Sequence, residues 1–351
     1  MNPSERHIIS TGATLIEALD RLNRLSGGVM TLMAVDPDGI MRGTLTDGDI
    51  RRALLRGVST SAAVTDVMHR EFKRISEGDD IPTRLREMRQ LGIKLIPSLD
   101  NAGRITRLYD LTLRHSYLPI RAILMAGGRG ERLRPLTLST PKPLLEIGGK
   151  PIIDYNVEAL ADCGVEDIHV TTNYLAEQLD EHFSQAVGGV MVNCVREPSP
   201  LGTLGAAALV PEGEGTVTLV MNSDLLTNIS FEDLYLHHVS HRADITIATF
   251  PYHVSVPFAV MALDGENVKG LTEKPTYTYQ ANAGIYLFSN DILRQIKAGE
   301  HIDAPDLIER AIADRRRVTC FPITGTWIDI GSPEDFRQAQ QMMTQGMTLK
   351  K

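Results

Sequence analysis

Cysteine is scarce in this chain. Three occur in 351 residues, Cys163, Cys194 and Cys320, odd in number and far apart. No disulfide framework and no metal-ligand spacing can be built from them, so a reducing, cytoplasmic setting is expected. No apolar run approaches the length that spans a bilayer, and the polar start MNPSERH does not read as a signal peptide, so no membrane partner is expected. Positive charge is also in deficit, with 36 Lys and Arg against 44 Asp and Glu. A net charge of −8 gives no general attraction to nucleic acid, so any anion site must be built locally. Near the motifs described below there is no Ser/His/Asp or Cys/His constellation, which leaves nucleophilic catalysis without a candidate.

One stretch does concentrate positive charge. Arg121 to Met125 (RAILM) reads as a short buried strand of a parallel sheet, and LMAGGRGERLRPLTLSTPKPLLEIGGKP follows from Leu124 to Pro151. Ala126, Gly127, Gly128 and Gly130 are small enough to let backbone N–H groups approach a polyanion, and Arg129, Arg132, Arg134 and Lys142 supply charge. A Walker loop is excluded because no Gly-Lys-Ser/Thr opens a helix. The dinucleotide fingerprint is excluded because Leu133 stands where its third Gly belongs.

The chain is long enough for two domains. After the loop, Pro151 to Cys163 reads as a helix, Ile168 to Thr172 as a strand, Leu175 to Phe183 as a helix and Val190 to Val195 as a strand. Such alternation implies a mainly parallel sheet with helices on both faces. Thr216 to Asn222 is a buried strand that ends at Asp224, where open α/β sheets bind ligands, although a lone Asp there could equally cap a turn. EPSPLGTLGA (Glu197 to Ala206) places Gly202 and Gly205 before a small-residue helix. From Asp244 four strands follow, 244–249, 258–263, 267–272 and 282–288. His237, His238 and His241 form the main His cluster, with a polar helix face as the expected reading and zinc as the alternative.

The pattern G-G-x-G-x-R-L-x-P-L-T, followed by P-K-P-L-L, resembles the signature of the sugar-1-phosphate nucleotidyltransferases. That resemblance implies a Rossmann-like, mainly parallel, three-layer α/β domain similar to the GT-A fold over residues 119–351. It implies Mg²⁺ held by Asp224 and by Asp329 of TWIDIGSPEDF, with Arg132 stabilising the departing pyrophosphate and Lys142 bearing on the α-phosphate and the sugar phosphate. Backbone N–H groups of Ala126 to Gly130 would cradle the triphosphate, and Gly202 to Gly205 would form a wall for the base. Glu273 and Lys274 of EKP, with Asn282 and Gly284 of NAG, would contact the sugar phosphate.

Residues 1–118 contain a weak repeat at an offset of 66, which aligns Ser10 with Ser76, Gly12 with Gly78 and Leu19 with Leu85. Each copy reads helix, strand, turn, strand, with helices near 14–25 and 80–91 and turns DPDG and DNAG. The repeat resembles a pair of cystathionine-beta-synthase (CBS) modules, the clearest match being GTLTDGDIRRAL from Gly43 to Leu54. That family's ligand residues map onto Thr46 and Asp49, which implies an adenine nucleotide. The same T-x-x-D spacing is also a helix capping box that needs no ligand. The second copy is three residues shorter before its Asp, so at most one complete nucleotide site is expected.

The implied reaction joins a nucleoside triphosphate to a sugar 1-phosphate and releases pyrophosphate. Its nucleophile is a phosphate monoester with a second pKa of about 6, already mostly a dianion at neutral pH, so no general base is required. This domain order is similar to guanylyltransferases acting on hexosamine 1-phosphates in nonulosonic (legionaminic) acid pathways, which makes GTP and glucosamine 1-phosphate the expected substrates. Transfer from dTTP, CTP or UTP would use the same signature, and a catalytically silent nucleotide sensor is the competing reading. A homo-oligomer, joined through the CBS pair, is also expected. The enzyme reading carries a geometric requirement: Asp224 and Asp329 must lie close enough to share a metal, on the same face as Arg132.

Overall fold

The computed structural model describes residues 5–211 and 215–344, and the chain divides into two units, 1–117 and 118–351. In the first unit β1 (Ile8–Ser10) runs parallel to β2 (Thr31–Val35), which pairs antiparallel with β3 (Met41–Thr46). Helix α1 (Leu15–Arg24) buries Leu15, Ala18 and Leu22 along one stripe and starts at a capping box made by Thr14 and Glu17. Helix α2 (Asp47–Leu55) follows β3 directly. β4 (Ile75–Ser76), α3 (Ile81–Gln90), β5 (Leu95–Leu99) and β6 (Ile105–Asp110) then follow the same order with the same pairings. The two turns agree in detail. Asp36 accepts from the N–H of Asp38 and Ile40, Asp100 from Ala102 and Arg104, and Gly39 and Gly103 both take positive φ, 82° and 81°.

The second unit is an α/β sandwich. Its strands and helices, in chain order, begin with β7 (Arg121–Met125), the short β8 (Glu146–Ile147) and β9 (Lys150–Pro151), α4 (Ile152–Asp162), β10 (Ile168–Thr172) and α5 (Ala176–His182). They continue with β11 (Val192–Arg196), β12 (Val217–Asn222), β13 (Leu225–Thr227), α6 (Phe231–Ser240) and β14 (Ile245–Ser255). The remainder are β15 (Val260–Asp264), β16 (Asn267–Thr272), β17 (Thr276–Ser289), α7 (Asn290–Leu293), α8 (Ala304–Ala313), β18 (Val318–Pro322), β19 (Trp327–Asp329) and α9 (Pro333–Thr344).

Seven strands form one sheet in the order β11-β10-β7-β12-β17-β14-β18, parallel except for β17, which runs against both its neighbours. Successive residues of β7 face opposite ways. Ala122 and Leu124 pack with α4, α5 and α6, while Ile123 packs with α7 and α8, which gives the three layers that the alternation predicts. The arrangement sets β7 in mid-sheet, with its carboxyl end opening into the Gly-rich loop.

Three local expectations need correction. Gly205–Leu209 is a 3₁₀ helix, too short and tight for the small-residue helix expected there. β14 and β17 run well past the strands expected at 244–249 and 282–288, because they go on pairing with each other beyond the sheet. Of the His cluster, His237 and His241 stack with ring centroids 4.0 Å apart, but His238 turns into the core, hydrogen-bonded through Nδ1 to Thr246 at 2.9 Å. No group of three His, Cys, Asp or Glu that could hold a metal occurs among the described residues.

Burial lowers the pKa of His238 to about 4, with neighbouring His237 adding to the effect and Asp244 opposing it. Since the unfolded value is about 6.5, the unfolded chain takes up the proton first as pH falls. The stability contributed by the neutral ring is therefore complete above that pH and lost as pH drops toward the folded value. Urea unfolding near neutrality and near pH ~5 is expected to show a larger loss for the wild-type chain than for His238→Asn. Equal losses would mean that the ring is not held neutral.

Candidate active site

The site grows from the carboxyl end of β7. Ala126 continues the ladder, its N–H donating to Thr171 O at 3.0 Å, so of the expected cradle this donor is already committed. The N–H groups of Gly127, Gly128 and Gly130 have no partner among the described residues. Gly130 sits in the left-handed region at φ 58°, where a Cβ would come within 2.9 Å of Thr137 and 3.1 Å of Lys142. The loop therefore folds back tightly, and Thr137 Oγ donates to Gly130 O at 2.8 Å. Short 3₁₀ turns then present Arg132 (Glu131–Leu133) and Lys142 (Lys142–Leu144) to one cleft of about 270 Å³.

The two carboxylates reach the same place by separate routes. At the end of β12, Ser223 donates both its N–H and its hydroxyl to Met125 O, at 3.2 and 2.7 Å, which fastens the next residue, Asp224, beside the loop. β13 then pairs antiparallel with β19, setting Leu225 opposite Asp329, and Ile330 N–H donates to Asp224 O at 3.2 Å. Asp224 and Asp329 thus lie side by side although 105 positions separate them in sequence. Lys142 Nζ is bonded to Asp224 Oδ2 and lies 3.8 Å from Asp329 Oδ1, with only 12% of its side chain exposed. Burial pushes the Asp329 carboxyl above the usual range and the Asp224 charge pushes it further, while Lys142 and Arg132 pull it back. The Arg132 guanidinium packs on Gly331, where a Cβ would stand 3.2 Å from its terminal nitrogen. Arg132, Lys142, Asp224 and Asp329 therefore meet in one place.

The donor set suits a hard divalent ion. Asp224 Oδ1 is buried with no hydrogen-bond partner, and a second carboxylate stands beside it. Mg²⁺ held by one or two carboxylates takes its other ligands from phosphate oxygens and water, so no further protein ligand is needed.

The other expected site residues are distributed differently. Gly202 and Gly205 have a packing reason to be small: a Cβ would approach Ile302 O to 2.6 Å and Glu300 O to 2.3 Å respectively, because 201–205 lies on the backbone of 300–303. Asn282 bridges Gly284 N–H (2.9 Å) and Tyr286 OH (2.8 Å), and a Cβ on Gly284 would stand 2.5 Å from Asn222 Nδ2, so this motif abuts the end of β12 near Asp224. Glu273 and Lys274 are exposed in the turn before β17, outside the lining of the cleft. In the first unit Thr46 and Asp49 form the complete capping box of α2, at 2.9 Å and 3.3 Å for its two backbone bonds, and Asp49 also takes Arg52 at 2.6 Å. Thr46 lines a cleft of about 720 Å³ with Thr112, His69, Lys73 and Lys94, and Asp49 does not.

One residue packed against the loop was missed. Glu197, at the end of β11, is buried; its Oε2 accepts from Leu201 N–H at 3.2 Å, and its Oε1 stands 2.4 Å from where a Cβ on Gly127 would be. Burial raises its pKa, with the Leu201 bond opposing. A lone carboxylate opening a Gly/Pro-rich segment after a strand was the available signal.

A family model described as "Nucleotidyl transferase" matches residues 121–346. The chain is 34% identical over 228 residues to the mannose-1-phosphate guanylyltransferase catalytic subunit beta of Drosophila pseudoobscura pseudoobscura, covering 62% of this chain and 60% of that one. It is 32% identical over 241 residues to the subunit of the same name from Danio rerio, covering 65% and 66%. The chain thus spans about three fifths of the length of the first of these relatives. Among solved structures, HddC from Yersinia pseudotuberculosis superposes with a TM-score of 0.50 at 24% identity, over 64% of this chain and all of that one, a likeness of fold. With most of the second unit matched, and with Arg132 and Lys142 of its loop beside the paired carboxylates, this chain belongs to the nucleotidyl transferase family.

Proposed function

We propose that the second unit transfers guanylyl from GTP to a sugar 1-phosphate, with glucosamine 1-phosphate as first acceptor, releasing pyrophosphate. The observation that carries this reading is the meeting of Asp224, Asp329, Lys142 and Arg132, because a silent sensor has no use for paired metal-facing carboxylates. Bound between Asp224 and Asp329, Mg²⁺ would supply charge neutralisation where two phosphate groups approach. The free N–H groups of Gly127 to Gly130 hold the triphosphate, Lys142 steadies the attacked phosphate and the incoming dianion, and Arg132 meets the charge that develops on pyrophosphate. No residue need remove a proton, since the nucleophile arrives ionised.

Glu197 supports guanine. Its Oε2 already takes Leu201 N–H, which leaves Oε1 and the second lone pair of Oε2 for the two adjacent donors, N1–H and the N2 amine, that guanine alone among the common bases presents on one edge. The relatives, named as mannose-1-phosphate guanylyltransferases, agree with that base and make mannose 1-phosphate the competing acceptor. The glucosamine choice rests on the domain order alone. In the first unit the cleft containing Thr46 and Thr112 is proposed to take an adenine nucleotide, with Lys73 and Lys94 facing its phosphates.

Four outcomes are expected. Pyrophosphate release, measured over GTP, dTTP, UTP and CTP with glucosamine and mannose 1-phosphates, should be fastest with GTP; no release with any pair would refute the enzyme reading. Arg132→Ala and Asp224→Asn should each lower kcat by roughly 100-fold or more with the fold intact. Glu197→Gln should lower kcat/KM for GTP by about 10- to 100-fold and narrow its lead over dTTP, whereas an unchanged ratio would remove Glu197 from base reading. AMP or ATP at about 100 times its dissociation constant should add ~2.7 kcal/mol of stability and raise the melting temperature, and less so in Thr46→Val. No shift with either nucleotide would leave the cleft a structural feature.

A further inference from the structure

Beyond the seven-stranded sheet, β14 and β17 continue together as a two-stranded arm, with Tyr252 opposite Tyr279 and Val254 opposite Tyr277. Residues directly opposed point to the same side, so alternate positions sort the arm into two faces. One face is polar, with His253 bonded to Thr278 and Ser255 to Thr276, each at 3.0 Å. The other carries Tyr252, Val254, Tyr277 and Tyr279, exposed by 56, 40, 41 and 58%. At the tip, the β15–β16 hairpin repeats the pattern: Met261 opposes Leu271 and Leu263 opposes Val268, all 55–63% exposed. Phe258, in the link between the hairpins, is 73% exposed. At the inner end the stripe joins the core, where Phe250 stacks on Trp327 at 3.9 Å and meets Tyr252 edge-on.

Two-stranded hairpins are at best marginally stable in water by themselves, so these need a cover. We propose that the cover is a second copy of this chain, arm against arm about a two-fold axis. Side chains of these sizes and exposures present on the order of 1,000 Å² of apolar surface, against roughly 800 Å² per partner in an ordinary stable interface. Charge favours a like partner as well. Each copy carries −8, yet the fourteen residues FPYHVSVPFAVMAL from Phe250 to Leu263 contain no Asp, Glu, Lys or Arg, so this stretch of the surface adds no charge repulsion between like copies. A two-fold contact brings the same patch to itself and needs no complementary charge, and aromatic residues and Met are what interface cores favour.

Sedimentation of the full chain, 38.7 kDa by sequence, should give twice that mass at concentrations of about 10 µM, and Tyr279→Glu and Leu271→Glu should each return it to the single-chain mass. Both side chains are exposed, so far-UV circular dichroism should not change. As a check that needs no variant, hydrogen exchange of the wild-type chain should speed up within 252–279 on dilution to roughly 0.1 µM. A wild-type chain that sediments alone overturns the proposal. So does a dimer indifferent to both substitutions, which would place association on another surface such as that of the first unit.

Discussion

Two carboxylates held side by side in a partly buried cleft repel each other, and this structure obliges them to stay there. The three-residue pairing of β13 with β19 fixes Asp224 next to Asp329, and the cost appears in the Asp329 carboxyl, which burial and its neighbour drive upward. Lys142 offsets that cost from within the chain by lying against both. The rest of the unit supports this arrangement. The β7–β12 ladder and the Ser223 clamp set the height of Asp224, the tight turn at Gly130 sets Lys142, and Gly331 leaves room for Arg132. A divalent ion held by Asp224 and Asp329 would add positive charge at the carboxylates, and phosphate groups bound at the loop would add negative charge there.

Much of this was legible in the chain because it is local. After Arg121, AILM is apolar at every position, so a strand buried on both faces followed from the residues themselves. The Gly-rich loop, the strand before Asp224 and the cap of the last helix at Ser332 are likewise short-range patterns, and Ser332 does accept from Asp335 N–H. The three-layer order followed from the alternation of strand and helix.

What escaped reading is long-range. β13 and β19 are three residues each, too short for any period, and their pairing partners lie about a hundred positions apart, so the contact that defines the site leaves no local trace. The continuation of β14 and β17 into an arm depends on each strand finding the other, and exposed Tyr and Val do not mark an end. Gly202 and Gly205 read as room for a ligand because nothing in their neighbourhood announces that 300–303 will press against them. Glu197 was passed over for a similar reason: its closeness to Gly127 arises only when β11 and β7 are set on either side of β10. In the first unit the T-x-x-D pattern satisfies the helix start of α2 whether or not a nucleotide arrives, which is why spacing could not separate the two uses.

The central claim is that Asp224 and Asp329 share one divalent ion. It is tested most directly by anomalous diffraction from crystals of the full chain grown with Mn²⁺ and a non-hydrolysable GTP analogue. The account expects a single strong peak within about 2.1 Å of a carboxylate oxygen from each residue, with Lys142 drawn from Asp224 toward the phosphates. A peak bound by neither carboxylate, or by one of them while the other keeps its contact with Lys142, would contradict it.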